Sequence, residues 1–320
     1  MLKKFLDKLN GLHFQQEYLC LAKETMENPL HVYISVQGKA LQDITETHVF
    51  AGYNPLVFIL PSNDKIPTDP FPATQVIFSQ NPLTLNEVYR EKDAVAKLDM
   101  KWVKRLETGH FVYEGMKGQH HFLSKWHQFV IGFENRLFNN KPGNIFLRGN
   151  LLQQIQIAYS VPRVISLVTL GSGDKFNVFP TDLNGELDND HYVISLRKNG
   201  KACQQAEMYK KFTLSQVQSK AYKMVYALGK NHMQEPRPKE DWIQSKIFSL
   251  FPYPDLPVDT LRYRELEILN FSDLGIHRIF LCKTGPVATL DATRDTLSHI
   301  HTAYASWRFN KGLGGNYLLR

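Results

Sequence analysis

Histidine offers the first candidates for chemistry in this 320-residue chain, because His120, His121 and His127 cluster and His299 and His301 stand two residues apart. Two histidines at that spacing on a strand share a face and can hold a metal. No cysteine or carboxylate stands at ligand spacing beside either group, so no metal centre is expected and surface or interface histidines are. Cys20, Cys203 and Cys282 lie far apart with no CxxC. An odd, sparse count points to reduced thiols and gives no nucleophile signature. No GxGxxG follows a strand, and GxxxxGK(S/T), HExxH and GxSxG are all missing, so the sequence signals neither a dinucleotide fingerprint, a P-loop, a zinc protease nor a serine hydrolase. The triplet Gly171-Ser172-Gly173 reads as a plain turn. Two short stretches remain. Asn177 and Thr181, flanking Pro180, present short amide and hydroxyl groups that suit ligand contacts and ordinary turn chemistry alike. Arg197, Lys198 and Lys201 gather three cations at one strand end, which suits an anionic small ligand.

The elements that must position these residues read as mainly β with helices, an α+β chain. Aromatic residues make up 12% of the chain, and Tyr and Phe favour strands. The net charge of +7 raises the question of nucleic acid, but the basic residues are scattered and form no run of five, so a solvated basic surface is the plainer reading. In residues 1–10, Leu2, Phe5, Leu6 and Leu9 share one helical face with lysines between them, the pattern of an amphipathic helix and not of a signal peptide. No stretch approaches the ~18 apolar residues of a membrane span, so a soluble, cytoplasmic protein is expected. Strands are expected at 29–36, 47–60, 110–115 and 126–133, with a Pro-rich loop at 61–72. A helix is expected over 84–106, where Thr84 and Glu87 form a capping-box pattern. A junction near 150 divides residues 1–150, an α+β domain of unknown role, from residues 151–320.

The second half reads as a short helix or turn and a strand ending near 170, a strand at 191–197 closed by a hairpin-type turn at 198–201, a helix over 214–228, an irregular Pro-rich stretch at 235–257, and paired strands at 263–270 and 276–283. That order describes a closed barrel with a helix attached. HVYISVQGKALQ from His31 faintly echoes HYVISLRKNGKACQQ from His191, which leaves open an N-terminal half that is a degenerate copy of the barrel.

The stretch VPRVISLVTLGSGDKFNVFPTDL, residues 161–183, resembles the opening motif of the flavin reductase-like, FMN-binding split-barrel family: a proline-led strand, Thr169, Gly173, Asn177, then Pro180 and Thr181. ISLRKNGKA (194–202), KKFTLSQV (210–217), RELEIL (264–269) with DLGIHRIFL (273–281), and GLGGNYL (312–318) continue the similarity in order over about residues 150–320. The resemblance implies a split β-barrel, an FMN cofactor (FAD as an alternative), reduced nicotinamide, NADH or NADPH, as transient electron donor, and a homodimer. It implies cofactor binding by Thr169, Asn177, Val178, Pro180, Thr181, Arg197, Lys198, Lys201 and His277, with no obligatory catalytic side chain because the cofactor carries the redox chemistry. The chain departs from the family where Lys201-Ala202-Cys203 lacks a hydroxyl, and where Asp182 and an acidic run follow Thr181. A flavin-binding protein without turnover is the first alternative. A basic barrel that binds single-stranded nucleic acid is the second, and the lack of a basic-aromatic stripe argues against it.

Overall fold

The computed structural model describes residues 11–14, 16–62, 73–138, 146–248 and 256–318, and it is mostly β with few helices. The N-terminal half forms one antiparallel sheet from β1 (His31–Val36), β2 (Lys39–Asp43), β3 (Val49–Gly52), β4 (Val57–Leu60), β5 (Thr74–Ser79), β6 (Ala94–Arg105) and β7 (Phe111–His120). Its order is β2-β1-β5-β6-β7-β4-β3. The C-terminal half contributes β8 (Ser166–Ser172), β9 (Lys175–Thr181), β10 (Asn184–Glu186), β11 (His191–Arg197), β12 (Lys211–Val217), β13 (Thr260–Leu274) and β14 (His277–Thr284). Their order is β9-β8-β12-β13-β14-β11-β10, again antiparallel throughout. Each strand of the first sheet thus has a counterpart at the same place in the second. The chain follows one path twice.

That correspondence places the sequence echo out of register. His31 opens β1, whose counterpart is β8, whereas His191 opens β11, the counterpart of β4. Nor does the pairing of the second sheet close on itself among the described residues. It runs open from β10 to the short strand Arg237–Pro238, which extends the sheet beyond β9.

The sheets meet through an apolar patch in which Val49, Ala51, Val57, Ile59 and Val112 of the first pack with Val193, Ile279 and Leu281 of the second. Burying an aliphatic side chain of this size is worth roughly 1.5–3 kcal/mol, against about 1 kcal/mol net for an ordinary hydrogen bond. Apolar contact therefore dominates the docking. A small third sheet draws distant parts of the chain together: Tyr18–Leu21 pairs with Ser298–His301 on one side and Tyr317–Leu318 on the other, and Arg163–Val164 pairs with Ser298 and His299.

Among the described residues six α-helices cover these sheets: α1 (Lys125–Phe138), α2 (Leu151–Ala158), α3 (Lys201–Tyr209), α4 (Tyr222–Ala227), α5 (Lys239–Gln244) and α6 (Thr302–Asn310). Leu152, Ile155 and Ile157 of α2, with Ala303 and Tyr304 of α6, enter the core that holds Val32, Phe58, Leu98 and Tyr113 of the first sheet. A boundary near 150 separates the two sheets but not this core.

Several elements differ from the sequence expectation. The helix expected over 84–106 is instead the strand β6, because Ala94, Ala96, Leu98 and Met100 turn inward at every second position while their neighbours stay partly open, and a sheet neighbour on each side overrides local helical spacing. Residues 126–133, expected as a strand, lie in α1, where Trp126, Phe129, Phe133 and Leu137 recur at three- and four-residue steps along one exposed stripe. The turn at 198–201 leads into α3 rather than a hairpin, and the start of the helix expected over 214–228 is strand β12, followed by α4. The stretch 47–60 is a hairpin, β3 and β4, not one strand. Within the irregular 235–257 stretch, α5 seats a fully buried Trp242 whose indole donates to the Phe176 carbonyl at 2.9 Å. The opening amphipathic segment and most of the Pro-rich loop lie outside the described residues.

Candidate functional site

A cavity of about 270 Å³ opens where β9, β11 and β14 end. Phe179, Pro180 and Thr181 enter it from β9, Asp182 from the turn beyond, Ser195 and Arg197 from β11, and His277 from the first position of β14. The N-terminal half closes it with Tyr53, and Tyr18, Tyr159, His232 and His299 complete the wall.

Tyr53 is carried by the β3–β4 turn, whose position is set by the β13–β14 turn of the other sheet. The Asn54 carbonyl accepts from the Ile276 amide at 3.3 Å. Gly275 is in the left-handed region at φ +56°, and a Cβ there would collide with the Asn54 carbonyl and the Pro55 ring. Only glycine meets both demands without strain. The docked turn lets Tyr53 accept a 2.7 Å hydrogen bond from Arg197 Nη2, beneath a guanidinium 5.9 Å from its ring centre. Among the described residues Arg197 forms no ion pair with a carboxylate, so its charge is open to a ligand.

His277 pairs in register with Arg197 across β11 and β14 and packs edge-on against Tyr53 at 4.8 Å. It is 2% exposed, and neither ring nitrogen has a hydrogen-bond partner. Burial, then the nearby Arg197 charge, lowers its pKa to about 4, so the ring is neutral at pH 7 with one donor and one acceptor to offer. The buried Ser195 hydroxyl is likewise unpartnered. Unpaired buried polar groups lining a cavity are free to meet a polar ligand or water.

Opposite charge is held firmly. Asp182 Oδ2 accepts from His299 Nδ1 at 2.6 Å and from the Tyr159 hydroxyl at 3.0 Å, while His299 Nε2 meets the Tyr226 hydroxyl at 3.1 Å. Burial alone would raise the Asp182 carboxyl, but the bond and charge of His299, with the Tyr159 bond, hold it below the usual carboxylate range. Burial, with neighbouring negative charge, pushes the Tyr18 and Tyr159 phenols well above their ordinary value. They remain protonated donors.

Four of the residues singled out from sequence, Pro180, Thr181, Arg197 and His277, line this cavity. Five do not. Asn177 is buried as a clamp, its amide donating to Gln205 Oε1 at 2.8 Å and to the carbonyls of Asn231 at 3.0 Å and Gln234 at 3.2 Å. Val178 is core, and Thr169 sits buried in the middle of β8. Lys201 is engaged by Glu235 at 2.7 Å. Lys198 follows Arg197 outside the lining, where its charge lowers the pKa of the Asp273 carboxyl after the larger effect of Arg278. Residues the sequence did not single out are Tyr18, Tyr53, Tyr159 and His232, and with them Asp182 and His299 in the roles they hold. The alternation of His299 and His301 was a signal, but His301 caps α6 by accepting from the Ala303 amide, and no metal-ligand cluster occurs among the described residues. No helix among them is long and apolar enough to cross a membrane.

No model of a known protein family matches the sequence, and no curated protein matches it. Solved structures resemble part of the fold. The NADH:FAD oxidoreductase SgcE6 of Streptomyces globisporus C-1027 is 16% identical with a TM-score of 0.40, over 51% of this chain and 95% of that one. The styrene monooxygenase flavin reductase of Pseudomonas putida S12 is 15% identical with a TM-score of 0.38, over 52% and 98%. The FMN-binding protein of Thermus thermophilus, with bound p-hydroxybenzaldehyde, is 17% identical with a TM-score of 0.34, over 41% and 74%.

Proposed function

We propose that the cavity binds the ring of a flavin, FMN or FAD, and that the chain is a flavin-dependent oxidoreductase drawing on NADH or NADPH. The observation that carries this reading is the neutral, buried, unpartnered His277 ring beside Arg197 and Tyr53 in an aromatic-walled cavity. Support also comes from sequence. The motif of residues 161–183 that resembles the FMN-binding split barrels ends at Pro180 and Thr181, in this same cavity.

The residues present fit such a group. Tyr53, Tyr159 and Phe179 offer apolar faces to a flat ring. His277 and Ser195 offer polar atoms to its edge, and Arg197, aided by Lys198, offers charge to a phosphate. A bound flavin supplies reversible hydride chemistry, which no side chain can. The chain contributes orientation and a fixed electrostatic field. In this reading the N-terminal sheet is a divergent second copy of the C-terminal one, and it supplies the lid residue Tyr53.

Purified protein given FMN and freed of excess should show flavin absorption bands, and they should bleach when NADH or NADPH is added without oxygen. Retained colour with no bleaching by either dinucleotide would leave cofactor binding without turnover. Failure to take up FMN or FAD would remove the flavin reading.

A further inference from the structure

Asp182 is a carboxylate on the wall that this cavity shares with a second one, lined by His48, Arg163 and Arg264. Its backbone place, one residue beyond β9, is fixed by the pairing of β9 with β8. The side chain is fixed by two donors from other parts of the fold, His299 on the third sheet and Tyr159 just past α2. Tyr226 holds the far side of the imidazole. Both side-chain bonds fall on Oδ2, and a backbone hydrogen bond also favours the charged carboxylate. Three side chains from separate segments, Tyr159, His299 and, behind the imidazole, Tyr226, thus hold one acceptor in one orientation, and its charge is kept by these bonds against the cost of desolvation. A carboxylate kept only for stability would gain by facing water or an arginine. This one forms no ion pair with Arg163 or Arg197, the arginines nearest the site. Arg163 instead donates to the Ala158 carbonyl and His48, and Arg197 to Tyr53.

We infer that Asp182 is the ring-recognition residue of this cavity, accepting a hydrogen bond from an N–H on the edge of the bound ring, with His299 and Tyr159 as its positioning residues. The inference rests on the flavin reading. It adds to it that the ligand edge facing Asp182 is a donor, which for a flavin is the N3–H between the two ring carbonyls. A charge-assisted bond is roughly twice as strong as a neutral one and directional. A ring with a methyl in place of that hydrogen loses the bond and sets a carbon against the acceptor in its place.

Riboflavin and 3-methylriboflavin, titrated separately by the quenching of their fluorescence, test this without any turnover. Wild-type protein should bind riboflavin more tightly than the methylated ring by about tenfold or more. In Asp182→Ala the preference should collapse to near unity, while the methylated ring binds at least as well as it does to wild type, which shows that the cavity is intact. His299→Ala and Tyr159→Phe keep the carboxylate but release it, and each should reduce the preference by several-fold. They serve as the readout if Asp182→Ala does not fold. A wild-type preference near unity, or one that survives all three substitutions, overturns the assignment of Asp182 while leaving the flavin reading standing. If wild type binds neither ring and takes up no FMN or FAD, the flavin reading falls and this assignment with it; uptake of FMN or FAD with neither ring bound overturns the assignment alone.

Discussion

His277 shows how a single residue can record a function. A buried polar group with no partner costs on the order of 1–3 kcal/mol, and this ring leaves both nitrogens unbonded. His277→Phe should therefore raise the melting temperature or leave it unchanged, while weakening flavin binding by about tenfold. Thermal unfolding and a binding titration on the same preparation check both halves of that expectation. At this scale the sequence was partly legible. Of the residues that line the cavity, Arg197 was singled out as part of a cationic strand end, and Pro180, Thr181 and His277 because their stretches resemble the flavin reductase-like motifs. Asn177 stands outside the cavity lining, and nothing in its sequence neighbourhood announces Gln205 or the carbonyls of Asn231 and Gln234 that its amide nitrogen meets. Tyr18, Tyr53 and His299 reach the cavity from segments far apart in the chain, and a single sequence carries no record of that convergence.

Among the elements, the β3–β4 hairpin matters most, because its turn brings Tyr53 to the C-terminal site. Gly275→Val should drive the β13–β14 turn away from Asn54 and Pro55. The expected cost is about 1–3 kcal/mol of stability from overpacking and backbone strain, with weakened flavin binding because Tyr53 no longer meets Arg197. Denaturant unfolding and titration would show the two losses together; a loss of stability with binding intact would mean that the hairpin does not shape the site. Strands beside clear turns, such as β11 and β14, were readable from alternation and turn residues. β6 was not, because Ala94–Arg105 is rich in residues that suit a helix equally well, and only neighbours on both sides decide between a period of two and one near four.

For the whole molecule, buried histidines set a sensitivity to acid. The folded pKa values of His48, His120, His277 and His301 are lowered to about 3, 4, 4 and 3, in each case first by burial. A histidine depressed in this way binds fewer protons folded than unfolded. Its stabilising contribution is complete above the ordinary value near 6.5 and is lost as pH falls from there toward the folded value. Asp182, held below the carboxylate range, adds its own loss only at lower pH. The melting temperature should fall by several degrees between pH 7.5 and 5.0, and an unchanged value would contradict the burial of these rings as neutral groups. The repetition of one strand order across the two halves was glimpsed in the sequence only as an echo between strands that are not counterparts. The repeat survives in topology and not in residues, since a sheet keeps its path as long as inward positions stay apolar.

The central claim is that one flavin binds in the cavity that Arg197 and Tyr53 of the docked hairpin line together, and the most direct measurement is a fluorescence titration of FMN with wild type, Arg197→Ala and Tyr53→Ala. Saturable quenching at one flavin per chain is expected for wild type, with affinity reduced about tenfold in each variant. Quenching that never saturates, or variants that bind as tightly as wild type, would contradict the claim.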